Sequence, residues 1–139
     1  MKIKLLLAIL LSVLSFNLYA QDTQTPCKFD YSVQALKSPE VLSYKDRFVE
    51  FSWDISKISN ENDQIKIEIT PIYDCYNGIN GTQTNKSTFL NLKSEDLKDK
   101  TSISIKHVDM LAKCFKWRVI IESNTCPEQT EWNYYSFID

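Results

Sequence analysis

Hydrophobic and polar residues alternate along much of this chain, most clearly from Cys114 to Glu122. Phe115, Trp117, Val119 and Ile121 share one side of an extended segment, while Cys114, Lys116, Arg118 and Glu122 share the other. Ile120 is the one apolar break on the polar side. A period of two with bulky and β-branched residues on one face predicts a half-buried antiparallel strand at 115–122. Six further segments are read as strands beside or across from it. The stretch 29–36 puts Tyr31, Val33 and Ala35 on one face and ends at Pro39, and 48–55 turns Val49, Phe51, Trp53 and Ile55 inward. The stretch 65–73 sets Ile65, Ile67 and Ile69 against Lys66, Glu68 and Thr70, and Pro71, which cannot donate to a ladder, marks an edge or a bulge. Shorter strands are expected at 88–92, at 102–106 with Ile103 and Ile105 inward, and at 132–138. Ser94 stands where it would cap one helical turn at 94–98. No segment keeps a helical period for three turns. The expected class is therefore all-β, a seven-stranded antiparallel Greek-key sandwich.

The first residues behave differently. A basic start at Lys2 and Lys4, an apolar run from Leu5 to Leu14 and Leu18-Tyr19-Ala20 resemble the signal peptide of a bacterial secreted protein. The run is too short for a spanning helix of about 20 residues, and Asn17 interrupts it. Cleavage after Ala20 would start the exported chain at Gln21, with a short polar tether at 21–26 and one domain at 27–139. No membrane span is expected once the signal is removed. The exported part holds 14 basic and 18 acidic residues, a formal charge of about −4. Nucleic acid as a partner is disfavoured, because its recognition requires a concentrated basic face. The expected location is exported, either periplasmic or secreted.

Several of these segments are similar to fibronectin type III domains. Trp53 stands where the second strand of that family carries its core tryptophan. Phe115-Lys116-Trp117-Arg118-Val119-Ile120-Ile121 resembles the family's sixth strand, and Thr130-Glu131-Trp132-Asn133 followed by Tyr135-Ser136-Phe137 resembles the last strand of bacterial members. The resemblance covers roughly residues 27–139 and implies an immunoglobulin-like β-sandwich. The sequence departs from the family at Phe115, which lacks the hydroxyl of the tyrosine corner, in the missing Pro-Gly turn before it, and in its four cysteines.

Chemistry-bearing residues are sparse. His107 is the only histidine, and Gly78 and Gly81 are the only glycines. These counts leave no multi-histidine metal site, no nucleophile elbow and no phosphate-binding glycine loop. Glu61-Asn62-Asp63 would suit a calcium ion or, equally, a solvated loop tip; no metal or cofactor is expected. Asn80-Gly81-Thr82 and Asn85-Lys86-Ser87 match the N-glycosylation pattern but read as loop polar residues.

Cys27, Cys75, Cys114 and Cys126 contain no C-x-x-C pair and in an exported chain read as two disulfides. If the third and sixth strands are antiparallel neighbours, the end of one at Cys75 meets the start of the other at Cys114. The first strand begins at the same end as the loop after the sixth, which pairs Cys27 with Cys126. Unbroken alternation, however, turns Cys75 inward and Cys114 outward, so the first bridge requires a parity change near Pro71.

Arg118, Trp132 and Tyr134 form one suggestive set. Trp132 on the strand beside Arg118 would stack on its guanidinium, either as a structural brace or as a platform for glycan or peptide. The expected function is non-catalytic: an exported binding module contacting protein or glycan through end loops at 56–64 and 123–130. A small secreted inhibitor or a structural subunit of a cell-envelope complex is the alternative. An exposed apolar loop tip would favour the inhibitor, and an aromatic strip on a sheet face would favour glycan.

Overall fold

Eight strands, each short enough to be set by a few alternating residues, pair into two antiparallel sheets. They are seen in a computed structural model that describes residues 29–39, 43–58 and 61–138. The expected signal peptide, the tether and Cys27 lie outside the described residues. β1 (Ser32–Lys37), β2 (Phe48–Asp54) and β5 (Ser102–Lys106) form one sheet in the order β1-β2-β5. The second sheet runs β4-β3-β6, from β4 (Thr88–Asn91) through β3 (Gln64–Ile72) to β6 (Cys114–Glu122). The far side of β6 is shared by β7 (Glu128–Gln129) and β8 (Asn133–Ser136). Among the described residues no helix is long and apolar enough to cross a membrane.

The two sheets face each other across one core. Val49, Phe51 and Trp53 from β2 meet Ile65, Ile67 and Ile69 from β3 and Phe115, Trp117, Val119 and Ile121 from β6. Phe51 meets the Trp117 ring edge-on at 5.4 Å and the Phe115 ring at 6.0 Å. Each large side chain removed from water contributes about 1.5–3 kcal/mol, and the aromatic pairs add about 0.5–1.5 kcal/mol each. β6 pairs with β3 along its full length, from Gln64 opposite Glu122 to Ile72 opposite Cys114.

Several expectations need correction. The seventh strand is two pieces. Ile120 pairs with Gln129 and Trp117 with Asn133, so three residues, Thr130 to Trp132, stand opposite two, Arg118 and Val119. That surplus residue breaks the ladder as a bulge does. Thr130 fills the gap, because its N–H donates to the Val119 carbonyl and its hydroxyl accepts from the Val119 N–H, each at 3.0 Å. Part of the expected loop 123–130 is thereby a strand.

The turn after Ser94 is a 3-10 turn, Glu95–Leu97, and the Ser94 side chain makes no cap hydrogen bond; its carbonyl accepts from Leu97 N–H instead. One helical turn not expected from the pattern, α1 (His107–Met110), joins β5 to the loop before β6. Pro71 lies beyond the end of β4, and its carbonyl turns away from β6 to accept from Thr84 N–H at 3.1 Å. Its missing donor therefore faces the edge, where no ladder needs it.

Candidate functional site

The loop from Tyr73 to Lys86 folds back over the outer face of the larger sheet, and both glycines of the chain make this possible. Gly78 has φ +56°, in the left-handed region. Gly81 passes so close to β3 that a Cβ there would stand 2.1 Å from Ile72 Cγ2. The Asp74 carboxylate ties the loop by accepting from the Asn77 side chain and the Thr82 N–H, and these bonds hold its pKa below the ordinary carboxylate value. Tyr134 donates its hydroxyl to the Cys75 carbonyl at 2.7 Å, and Lys116 Nζ donates to the Ile79 carbonyl at 3.3 Å.

This cover resolves the facing of the cysteines. Cys114 alternates with the inward Phe115 and so points outward, yet it is fully buried because the loop lies over it. Cys75 reaches it from above, with a Cα–Cα distance of 5.7 Å and an S–S bond of 2.09 Å. No parity change occurs at Pro71: β3 ends at Ile72, and the loop carries Cys75 across the face. Cys126 is also disulfide-bonded; Cys27, the partner expected for it, lies outside the described residues.

The same fold-back displays apolar side chains. Tyr73 is 81% exposed and Tyr76 89%, and Leu111, across from them after α1, is 80% exposed. Leu111 also has φ +53°, the one non-glycine with positive φ among the described residues. A branched side chain in that conformation costs about 1–2 kcal/mol, and helix ends of this kind favour glycine. Tyr73, Tyr76 and Leu111 border a groove of about 940 Å³ whose floor includes Tyr44, His107 and Ile72. The Tyr44 and His107 ring centroids are 4.2 Å apart, and Phe137 meets His107 edge-on at 5.3 Å. Burial pulls the His107 pKa below its ordinary value, and the positive charges of Lys113 and Arg47 pull it further.

On the open part of the outer face, a row of side chains runs across the strands. Phe89 of β4 stands opposite Glu68 of β3, and Glu68 stands opposite Arg118 of β6. Arg118 Nε donates to Glu68 Oε2 at 2.7 Å, and its Cζ lies 4.4 Å from the centre of the Trp132 ring. Lys116 Nζ approaches the same ring at 5.0 Å. Trp132 sits in the break before β8 rather than within the strand. Tyr134 does not join the stack; its hydroxyl serves the loop at Cys75. Sequence reasoning brought Arg118 and Trp132 together but missed Glu68 and Lys116.

The expected binding end, at 56–64 and 123–130, carries a cleft of about 630 Å³ lined by Asn62, Gln64, Ser123 and Glu128 together with Ile120, Ile121 and Pro127. Asp63, expected at a solvated tip, is buried. Among the described residues no group of three or more His, Cys, Asp or Glu side chains is placed to hold a metal. The groove bordered by Tyr73, Tyr76 and Leu111 lies at the opposite end, in connections to which the hydrophobic pattern assigned no role. Two glycines three residues apart, preceded by Tyr73 and Tyr76, were the available signal. The chain matches no protein-family model, no curated protein and no solved structure.

Proposed function

We propose that this chain is an exported, non-catalytic binding module of fibronectin type III-like architecture that contacts another protein through the loops at one end. The fold-class reading draws support from the strand order. The fourth strand pairs with the third, β3, and not with the sheet of β1, β2 and β5. That order differs from the constant immunoglobulin arrangement, in which the fourth strand stays with the first two, and it accords with the resemblance to fibronectin type III. The end we assign to binding is that of 73–86 and 107–113, opposite the one expected from the sequence.

The observation that carries the reading is Leu111. A leucine 80% exposed on left-handed backbone is a double cost to the folded chain. Tyr76 and Tyr73 stand beside the same groove on a loop tied by a disulfide, so their surfaces are presented with little ordering left to lose on association. Exposed apolar tips favour a protein surface as the partner, and a small secreted inhibitor or an envelope-complex subunit is the specific form this takes. A glycan platform would instead use the sheet face, where the Trp132 ring is already stacked on Arg118.

Cross-linking mass spectrometry in the cells that make the protein tests this. We expect one protein to cross-link to the loop at 73–86. The double variant Tyr76→Ser/Leu111→Gly should keep its melting temperature and weaken that contact by about tenfold or more, the scale of a lost hot spot. A partner held equally well by the double variant would remove this end from the function.

A further inference from the structure

A sheet edge presents unpaired N–H and C=O groups to any further strand, and folded proteins usually blunt such edges. Three of the four outer edges described here are blunted. β4 is only four residues long. The β7–β8 edge is interrupted by the surplus residue opposite Arg118 and Val119. β5 lies between Lys100 and Lys106, and charged residues on an edge oppose pairing. β1 has none of these devices. Its six residues, Ser32–Lys37, run without proline or bulge, and their single charge, Lys37, stands at the end. Among the described residues no strand lies on its far side.

The register fixes which backbone groups face that side. Successive residues of an antiparallel strand turn their N–H and C=O groups to alternate sides. Trp53 N–H donates to the Thr101 carbonyl at 2.8 Å, on the β5 side of β2, and the Arg47 carbonyl accepts from His107 N–H at 2.9 Å on that same side. Val49, Phe51 and Trp53 therefore bond toward β5, which leaves Glu50, Ser52 and Asp54 to bond toward β1. Their partners there are Leu36, Gln34 and Ser32. Val33 and Ala35, between them, send their N–H and C=O groups outward, where no described residue answers them. Donors and acceptors then alternate along one line, a pattern that another extended strand matches.

We propose that β1 pairs antiparallel with β1 of a second copy of this chain. A second copy supplies a strand of matching length with no opposed charge. In the register centred on Gln34, Val33 of each copy stands opposite Ala35 of the other, and the two exchange N–H···O=C bonds. Leu36 then stands opposite Ser32, Lys37 opposite Tyr31 and Gln34 opposite itself, so no like charges meet. Such a two-fold contact uses the same edge of both copies and closes as a dimer, and the blunted β5 keeps the joined sheet from growing further. Six residues a side make a small interface, so the dimer is weak and forms at high protein concentration. This goes beyond the protein-contact reading, since it concerns β1 and not the loops. The paired strands run antiparallel, so the two copies turn their 73–86 loops in opposite directions.

The test joins sedimentation equilibrium of the folded, disulfide-bonded protein, from micromolar to millimolar concentration, to amide exchange read at single residues. We expect a monomer–dimer equilibrium. Protection at the Val33 and Ala35 amides should rise with concentration, while the Gln34 and Leu36 amides, bonded to β2, stay protected throughout. Ala35→Pro removes an outward N–H and no bond to β2, a place where an edge strand tolerates proline. It should weaken the dimer by about tenfold or more. Gln34→Lys and Gln34→Glu alter an exposed side chain on the outer face and should fold like the parent. Each alone sets like charges opposite one another and should weaken the dimer by up to about fivefold, and their equimolar mixture should recover it. The proposal is overturned if the protein stays monomeric at millimolar concentration, or if it dimerises with the Val33 and Ala35 amides unprotected. Ala35→Pro that folds and dimerises like the parent, or Gln34 variants that do so, would overturn it equally. Partner capture is read separately through Tyr76→Ser/Leu111→Gly, so a monomeric result leaves that reading standing, and a failed capture leaves this one standing.

Discussion

The two ends of this sandwich are built from the same strands and differ in what their loops do. At one end, Asn62, Gln64, Ser123 and Glu128 line a cleft of mixed polar and apolar surface, and the Tyr31 hydroxyl donates to Glu128 at 3.4 Å. At the other, a long loop turns back over the sheet, is bridged to β6, and presents Tyr73 and Tyr76 beside a leucine on left-handed backbone. The first end keeps polar groups toward water, as loops ordinarily do. The second spends a disulfide, both glycines and a strained residue to hold apolar surface in the open. An arrangement that works against solubility and backbone preference at once is what the proposed binding role would account for.

The most severe way to break this comparison is to remove the bridge. Replacing Cys75 and Cys114 together by alanine opens a loop of sequence separation 39. The chain-entropy relation gives a loss of about 4 kcal/mol. Chemical denaturation measures the loss, and amide exchange locates it: protection should fall across residues 73–86 and stay unchanged across 55–58 and 123–127. Equal loss at both ends would mean that the bridge supports the whole sandwich and not one loop.

A smaller effect is expected midway between the ends. Trp132→Ala removes the ring stacked on Arg118 and approached by Lys116. A cation–π contact at such a site is worth about 0.5–1 kcal/mol, and lost packing adds to it. The Arg118–Glu68 pair remains, so the face should stay ordered. Thermal unfolding should show this modest destabilisation, with protein contact at the Tyr76 end preserved. Full stability combined with lost binding would make the sheet face the functional surface.

Local alternation made the strands legible, because each one buries a single face and a period of two is enough to mark it. The neighbourhood of Cys75 and Cys114 was legible for the same reason, once the third and sixth strands were taken as partners. The loop was not. Its path over Cys114 depends on contacts far apart in sequence, Tyr134 to Cys75 and Lys116 to Ile79, that no short pattern encodes. The split of the last strand was equally hidden, since one surplus residue between Gln129 and Asn133 leaves the hydrophobic pattern of Tyr135 and Phe137 intact. Of the candidate groove, Tyr44, His107 and Leu111 come from separate connections, and only the packed fold brings them to one place.

The smallest effect separates the two ends by pH. His107 is the only histidine and lies at the groove end. Burial, with the charges of Lys113 and Arg47, lowers its pKa in the folded protein. Between that lowered value and the ordinary value of about 6.5, the unfolded chain binds the proton more readily than the folded one. Stability therefore falls as the pH drops through about 6.5, with a slope limited by one proton to about 1.4 kcal/mol per pH unit. Asp54, where β2 ends at the polar end, has its pKa lowered by hydrogen bonds from the Ser56 hydroxyl and N–H, so its contribution is lost only below the ordinary carboxylate range. From pH 7 to pH 5 the groove end alone should loosen. Denaturation at a series of pH values, with amide exchange at residues 107–113 and 123–127, checks this. His107→Phe, which keeps a ring between Tyr44 and Phe137, should flatten the slope; an unchanged slope in that variant would place the titrating group elsewhere.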